Sequence, residues 1–286
     1  MAQTLTDIKQ LLATHGLHPK HKFGQNYLHD GNHMARIMEA ADIGPGDRVL
    51  EVGPGTGALT ERLLETGASV VAVEVDSDFE TLLRDRIAQA CGPDARFELL
   101  ITDILAGKHA IAPAAIDAVG DGPFKLIANL PYQIASPLLA NLVQDHPNMT
   151  DAVVMIQKEV ADRLAAPPGG KSYGALGILV QAMCHVTRVG VLAPGCFWPA
   201  PKVASAVVHL KRRDDPLTRD PAAPSALLQK LFTQRRKQLG KILGRDAALP
   251  AGVTADQRPE SLSVDQLVAL AELTARADTG PGDTPG

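Results

Sequence analysis

Short apolar runs alternate with stretches of helical spacing along the first two thirds of the chain. Asp47–Val52, Ala68–Val73, Arg96–Ile101, Phe124–Ala128 and Ala152–Ile156 each carry the length and apolar content of a buried strand. Between them lie helical patterns. Asn32–Ala40 sets Met34, Ile37, Met38 and Ala41 on one face, Ala58–Leu64 has helical spacing, and Phe79–Ala90 aligns Leu82, Leu83, Ile87 and Ala90. Thr6 reads as the cap of a short opening helix that ends near Gly16, and Ser136-Pro137 reads as the start of a helix through Leu138, Leu139 and Leu142. Leu176–Met183 predicts a further helix, Val186–Val191 a strand, and Ala204–Leu210 a closing strand, whereas residues 106–122 are rich in Ala, Gly and Pro and carry little signal. Strands alternating with helices predict an α/β fold with a mainly parallel sheet and right-handed crossovers.

The pattern changes at Lys211. Lys211–Pro216, Pro221 and Pro224 read as a linker. Beyond it Leu227, Leu228, Leu231, Phe232, Leu239, Ile242, Leu243, Leu262, Leu267, Val268 and Leu270 are spaced for a small all-α domain. The expected division is therefore 1–213 for the α/β domain, with 1–30 as a segment contacting ligand, 214–277 for the helices, and 278–286 as a disordered tail.

Composition narrows the class. A hydrophobic share of 45% with mean hydropathy +0.00, no membrane-length apolar run and a polar start at Met1-Ala2-Gln3-Thr4 point to a soluble cytoplasmic protein with no membrane partner. Cys91, Cys184 and Cys196 form no C-x-x-C pair, which suits a reducing compartment and inert thiols. A net charge of −4 argues against a nucleic-acid binder by bulk charge. The distribution argues the other way. Lys211, Arg212, Arg213, Arg219, Lys230, Arg235, Arg236, Lys237, Lys241 and Arg245 crowd one stretch against only Asp214, Asp215, Asp220 and Asp246. Gln234-Arg235-Arg236-Lys237 falls inside a predicted helix, so its cations fan round one end. With Lys20, His21, Lys22 and Lys171 they read as a positive rim for a polyanion, against the plainer reading of solvated helix faces.

The candidate chemistry sits at the strand ends, where open α/β sheets bind ligands. Gly53-Pro54-Gly55-Thr56-Gly57 is a glycine turn between strand and helix; it lets backbone approach a ligand but lacks the third glycine of a dinucleotide fingerprint. Glu74 follows about 20 residues on, where an acid holds ribose hydroxyls. Asp103, after the third strand, is either an acceptor for an adenine amine or a turn cap. After the fourth strand comes Asn129-Leu130-Pro131-Tyr132, in which an amide matches the N–H edge of a base and an aromatic ring its face. Histidines 15, 18, 21, 29 and 33 crowd the N-terminus at irregular spacing, so no metal site is expected, and no G-x-S-x-G elbow is present.

Several segments together resemble the ribosomal RNA adenine dimethyltransferase family (KsgA/RsmA, with the related Erm methyltransferases). They are Lys22–Leu28, Glu51–Gly57, Asn129–Tyr132, Gln157–Arg163, Phe197–Val208, Phe232–Lys237 and Arg258–Ser263, which together span nearly the whole chain in order. Gln133 and Lys241 depart from the family, each standing where asparagine is usual. The resemblance implies a Rossmann-like S-adenosylmethionine-dependent methyltransferase sheet with a helical RNA-binding domain. It implies dimethylation of N6 on two adjacent adenosines in the 3′-terminal hairpin of small-subunit ribosomal RNA, late in subunit assembly, by a monomer acting on the precursor subunit. Asn26, Leu28, Gly53, Gly55, Glu74, Asp103 and Asn129 would hold S-adenosylmethionine. Asn129, Leu130 and Tyr132 would hold the target base, with Phe197 on its opposite face or else in the core. Lys20, Lys22, Lys171, Lys202, Arg235, Arg236 and Lys237 would meet RNA. The alternatives are an Erm-like enzyme acting on large-subunit RNA, an assembly factor acting mainly by binding and, last, a nicotinamide dehydrogenase.

Overall fold

The apolar runs become the strands expected of them. The computed structural model describes residues 3–107 and 110–279. The chain opens with α1 (Leu5–Thr14), whose cap is Thr4 rather than Thr6: the Thr4 hydroxyl accepts from the Asp7 N–H at 3.2 Å while the Asp7 carboxylate takes the Thr4 N–H at 2.8 Å. This reciprocal box satisfies two otherwise orphaned groups at the helix start. Then come β1 (Tyr27–Leu28), α2 (Gly31–Ala41), β2 (Arg48–Val52), α3 (Ala58–Glu65), β3 (Ser69–Glu74), α4 (Glu80–Cys91) and β4 (Phe97–Ile101). After these, α5 (Pro113–Val119) lies in the stretch that carried little signal, and β5 (Phe124–Asn129), α6 (Tyr132–Asp145) and β6 (Met149–Gln157) follow. The helix expected from Ser136 starts four positions earlier, at Tyr132, with Pro131 as its cap.

Two units divide the chain: residues 1–161 with 187–211, and 162–186 with 212–286. In the first, a seven-stranded sheet runs β4-β3-β2-β5-β6-β9-β7, where β7 is Cys184–Leu192 and β9 is Ser205–Arg212. Strands β4, β3, β2, β5 and β6 are parallel, and β9 is antiparallel to β6. A separate two-stranded ladder pairs β1 with β8 (Phe197–Trp198), setting Leu28 opposite Phe197. The order reverses between β2 and β5. That reversal is the topological switch point, where the crevice of a doubly wound sheet opens.

The second unit holds part of α7 (Lys158–Leu164), then α8 (Ala175–Met183), α9 (Ala222–Phe232), α10 (Leu239–Leu243) and α11 (Val264–Thr279). It differs from the expected division at 213/214, because Asp162–Val186 cluster with the C-terminal helices. Tyr173, Ile178 and Leu179 share a core with Leu227, Leu228, Leu231, Leu262 and Leu267, and the Tyr173 hydroxyl donates to the Leu262 carbonyl at 3.0 Å. Side chains that are silent in a linear pattern thus belong to the helical core. Helix α9 also begins within the stretch read as linker, and α11 continues to Thr279. The rest of the expected tail, 280–286, lies outside the described residues.

Candidate active site at the switch point

A cavity of about 290 Å³ opens at the carboxyl ends of β2, β3 and β5. Each of its walls has a different local origin. The floor is the glycine turn: Gly53, Gly55 and Gly57 all have positive φ, at 71°, 56° and 76°. A Cβ on Gly55 would stand 3.0 Å from the Tyr27 ring, and one on Gly53 would press on Pro131 at 3.4 Å. Glycine is required here both for the backbone conformation and for the close approach of its neighbours.

Two buried acids face the floor. Glu74, 4% exposed, accepts from the Asp76 N–H at 2.9 Å and weakly from the Gly55 N–H at 3.4 Å, and burial holds its pKa above the ordinary carboxylate range. Glu51, 1% exposed at the carboxyl end of β2, has an Oε2 with no hydrogen-bond partner among the described residues. Burial pushes the Glu51 carboxyl up to about 8; the Thr60 hydroxyl offsets part of this and the Glu74 carboxylate adds to it. Asp103 lines the rim, where its Oδ1 also accepts from the Leu105 N–H at 2.9 Å, so it caps a turn and faces the cavity at once.

The Asn129-Leu130-Pro131-Tyr132 loop forms the opposite wall. The Asn129 amide nitrogen donates to the Asn26 carbonyl at 2.9 Å, which leaves Oδ1 as the acceptor available to a ligand. The Leu130 N–H is spent on the Met155 carbonyl at 3.0 Å, which extends the β5–β6 ladder past its last pair. The Tyr132 hydroxyl is paired with Ser205 Oγ at 2.7 Å, fixing the ring from behind, and burial raises its pKa.

The remaining wall is the N-terminal segment 22–28. It is strapped to the end of β3 by Asp76, whose carboxylate takes Lys20 Nζ at 2.6 Å and Gln25 Nε2 at 3.0 Å. Lys20 also pairs with Asp78 at 2.6 Å. Asn26, Leu28, Gly53, Gly55, Glu74, Asp103, Asn129, Leu130 and Tyr132 thus line one cavity.

Residues 16–276 match the profile of the ribosomal RNA adenine dimethylase family. The chain belongs to that family. A ribosomal RNA small subunit methyltransferase A of Bifidobacterium adolescentis is 40% identical over 93% of this chain and 91% of its own length. The protein of the same name from Streptomyces griseus is 39% identical over 93% of each chain. Among solved structures, a dimethyladenosine transferase from Plasmodium falciparum shares 27% identity with a TM-score of 0.71, covering 85% of this chain and 95% of its own. The 23S ribosomal RNA methyltransferase ErmE, at 24% identity and a TM-score of 0.62, shares the fold.

In this dimethylase-family chain some expected site residues stand apart from the cavity. Phe197 is a correction. It is 3% exposed, lies opposite Leu28 in the two-stranded ladder and packs with Met155, Leu192 and Val207, so its ring belongs to the core. Lys20 is another, since its ammonium is committed to Asp76 and Asp78. Arg235 is a third: its guanidinium pairs with Glu260 at 2.7 Å and donates to the Lys171 carbonyl at 2.9 Å, so it staples the helical unit together. The segment Gln234–Lys237 is a turn after α9 rather than part of a helix. Lys171, Lys202, Arg236 and Lys237 are exposed, and Lys22 is exposed at the cavity, its Nζ 4.5 Å from the Phe23 ring centroid.

The pattern reading missed Glu51, Asp76, Gln25 and Ser205. A carboxylate inside the apolar run Val49–Val52 was the one linear signal for Glu51. The other three act through pairings 51 to 73 positions apart, which no local pattern encodes. No helix among the described residues is long and apolar enough to cross a membrane.

Proposed function

We propose that the cavity binds S-adenosylmethionine and that the Asn129–Tyr132 loop presents adenine to it, dimethylating N6 of two adjacent adenosines in the 3′-terminal hairpin of small-subunit ribosomal RNA. The chain is a ribosomal RNA adenine dimethyltransferase of the small-subunit type by family and by its curated relatives. The observation that carries the residue assignment is the shared cavity: an available amide oxygen and an anchored tyrosine ring stand across from a glycine floor and two buried acids.

The cavity residues fit the cofactor chemically. Glu51 leaves a buried carboxylate oxygen without a partner, which suits the cationic, amine-bearing end of the ligand. Glu74 would accept from the ribose hydroxyls and Asp103 from the adenine amine, while Asn26, Leu28, Gly53 and Gly55 shape the enclosure. When bound, S-adenosylmethionine supplies an already activated sulfonium methyl group.

The chain's own contribution is positioning. Adenine N6 is a weak nucleophile because its lone pair is delocalised into the ring. Hydrogen bonds donated by N6 to Asn129 Oδ1 and to the Leu130 carbonyl favour a pyramidal nitrogen whose lone pair is localised. Tyr132 stacks on the ring, worth on the order of 1–3 kcal/mol, and offsets part of the cost of taking the base out of its stack. The proton is shed from a nitrogen already made acidic by its positive charge, so a strong general base is not needed. One N–H survives the first transfer, and one acceptor suffices to orient the second.

The exposed Lys171, Arg236 and Lys237 of the helical unit, with Lys22 and Lys202 of the sheet unit, would meet RNA phosphates. The partner is then the precursor small subunit, met by a monomer in the cytoplasm late in assembly. The test offers labelled S-adenosylmethionine with unmethylated small subunits, naked small-subunit RNA and large-subunit RNA. Labelling of two adjacent adenosines in small subunits is expected; labelling confined to large-subunit RNA would overturn the reading.

A further inference from the structure

Asp30, His33 and Cys196 each offer a ligand atom outside the cavity, and these three atoms lie within 4.8 Å of one another. We propose that they form a transition-metal site, of the kind that takes zinc, clasping the N-terminal wall segment to the β8 strand. The donor set argues for that metal class. Thiolate, imidazole and carboxylate together suit a borderline ion, whereas calcium and magnesium want oxygen alone.

The geometry is largely built by the backbone. Asp30 caps α2, and its Oδ1 takes the N–H groups of Asn32 and His33 at 3.0 Å each. Its Oδ2 is left facing Cys196 Sγ, 3.9 Å away. His33 lies three residues after the cap, in the first turn of α2, so the helix itself sets its distance from Asp30. Cys196 is delivered by a short 3-10 turn, Pro194–Cys196, and its carbonyl accepts from the His29 N–H at 3.0 Å. A filled tetrahedral site has donors about 3.5 Å apart, so the cluster needs to contract by about 1 Å, within reach of side-chain rotation. Without metal, burial and the Asp30 carboxylate push the Cys196 thiol up. Coordination would deprotonate it. Thiolate and carboxylate would then balance the ion's two positive charges. With three protein donors the fourth position is left for water.

Such an ion would join the start of α2, which continues the wall through Leu28 and Asn26, to the turn leading into Phe197, adding a side-chain tether to the β1–β8 ladder and the His29–Cys196 backbone bond. The test uses the full chain, stripped with chelator, held reduced with a phosphine and titrated with cobalt(II), then with zinc(II) in competition. One equivalent of cobalt is expected to give a thiolate charge-transfer band and tetrahedral visible bands that zinc abolishes. Cys91→Ser should keep them and Cys196→Ser should lose them. His33→Ala should weaken binding about tenfold or more. Asp30→Asn, which keeps the helix cap, should also weaken it. Zinc should slow hydrogen exchange at the His29 amide in wild type but not in Cys196→Ser. A Cys196→Ser protein that titrates like wild type would overturn the site, as would a wild type whose cobalt complex shows no thiolate band.

Discussion

Two loops face each other across the switch point, and they are held by opposite means. The glycine turn 53–57 works through missing side chains: three positive φ values and a floor that a single Cβ would fill. The Asn129–Tyr132 loop works through side chains and backbone groups that are each tied to something behind them: Asn129 to the Asn26 carbonyl, Leu130 to the β6 strand, Tyr132 to Ser205. On the proposed function the difference separates binding from chemistry. An empty floor would admit ligand, and a pinned loop would aim the reacting atom. Damage to the first should appear as lost affinity and damage to the second as lost turnover.

The largest effect expected is for Asn129→Ala. Methyl transfer should fall by about 10²–10³-fold, the range seen when one preorganised polar group is removed from a reacting centre, while equilibrium binding of S-adenosylmethionine changes little. Calorimetry beside single-turnover labelling checks the split; equal losses in both would erase the contrast between the loops. Gly55→Ala should do the reverse. Its methyl group meets the Tyr27 ring at 3.0 Å in a backbone conformation with φ of 56°, a strain of about 1–3 kcal/mol. Cofactor affinity should drop by about 10–100-fold, with turnover at saturation largely kept.

Glu51→Gln sharpens the comparison through pH. Glu51 titrates near 8 in the folded chain against an ordinary value of 4.5, so the folded state keeps a proton that the unfolded state loses. The sign follows from that. Its contribution to stability is fully present below about pH 4.5, declines as pH rises, and is lost by about pH 8. Glu51→Gln should therefore melt higher than wild type at pH 8, by an amount on the order of 2 kcal/mol, and lose that advantage in acid. Wild-type affinity for the cationic cofactor should climb through this same window. The Gln variant should bind about tenfold more weakly at pH 8, with a flat profile. Parallel profiles for the two proteins would show that Glu51 does not meet the ligand. The smallest effect is expected for Ser205→Ala, which frees the Tyr132 hydroxyl. Loss of one neutral hydrogen bond, about 0.5–1.5 kcal/mol, should slow turnover about threefold to tenfold and leave cofactor affinity alone.

What could be read from sequence followed the same divide. Strands β2 to β6 were legible because each is a short apolar run bounded by turn residues, and the glycines announce their own conformations. The nine cavity residues named from sequence come together because each lies at a strand end, in the loop that follows one, or in the N-terminal segment that walls the same crevice. Phe197 was open to two readings, since an aromatic beside a proline loop looks alike whether it faces a ligand or packs under Leu28. The basic turn was misread as helix because Arg235 is drawn away to Glu260 and the carbonyls of the 170–171 loop, a tertiary demand that overrides local propensity. Helix α5 was invisible because its apolar contrast is low: Pro113–Val119 buries only Ala115 and Val119.

The two-residue ladder of Tyr27–Leu28 with Phe197–Trp198 also has a consequence in time. The glycine turn and the Asn129–Tyr132 loop can form on a growing chain once β2 to β6 have emerged. The wall from 22 to 28 can be strapped to Asp76 and Asn129 as early, but its ladder with Phe197–Trp198 waits much longer, because that strand is among the last parts of the sheet unit to be synthesised. A nascent chain halted before Trp198 would hold the glycine turn and a wall strapped by Asp76 and Asn129, yet lack both the ladder at Tyr27–Leu28 and the Ser205 hydroxyl behind Tyr132. Protease cleavage near Gly24 on chains stalled at successive lengths should slow in two steps, first when Asn129 and then when residue 198 clears the exit tunnel. Completion of the proposed cofactor site would thus be timed by translation as well as by affinity.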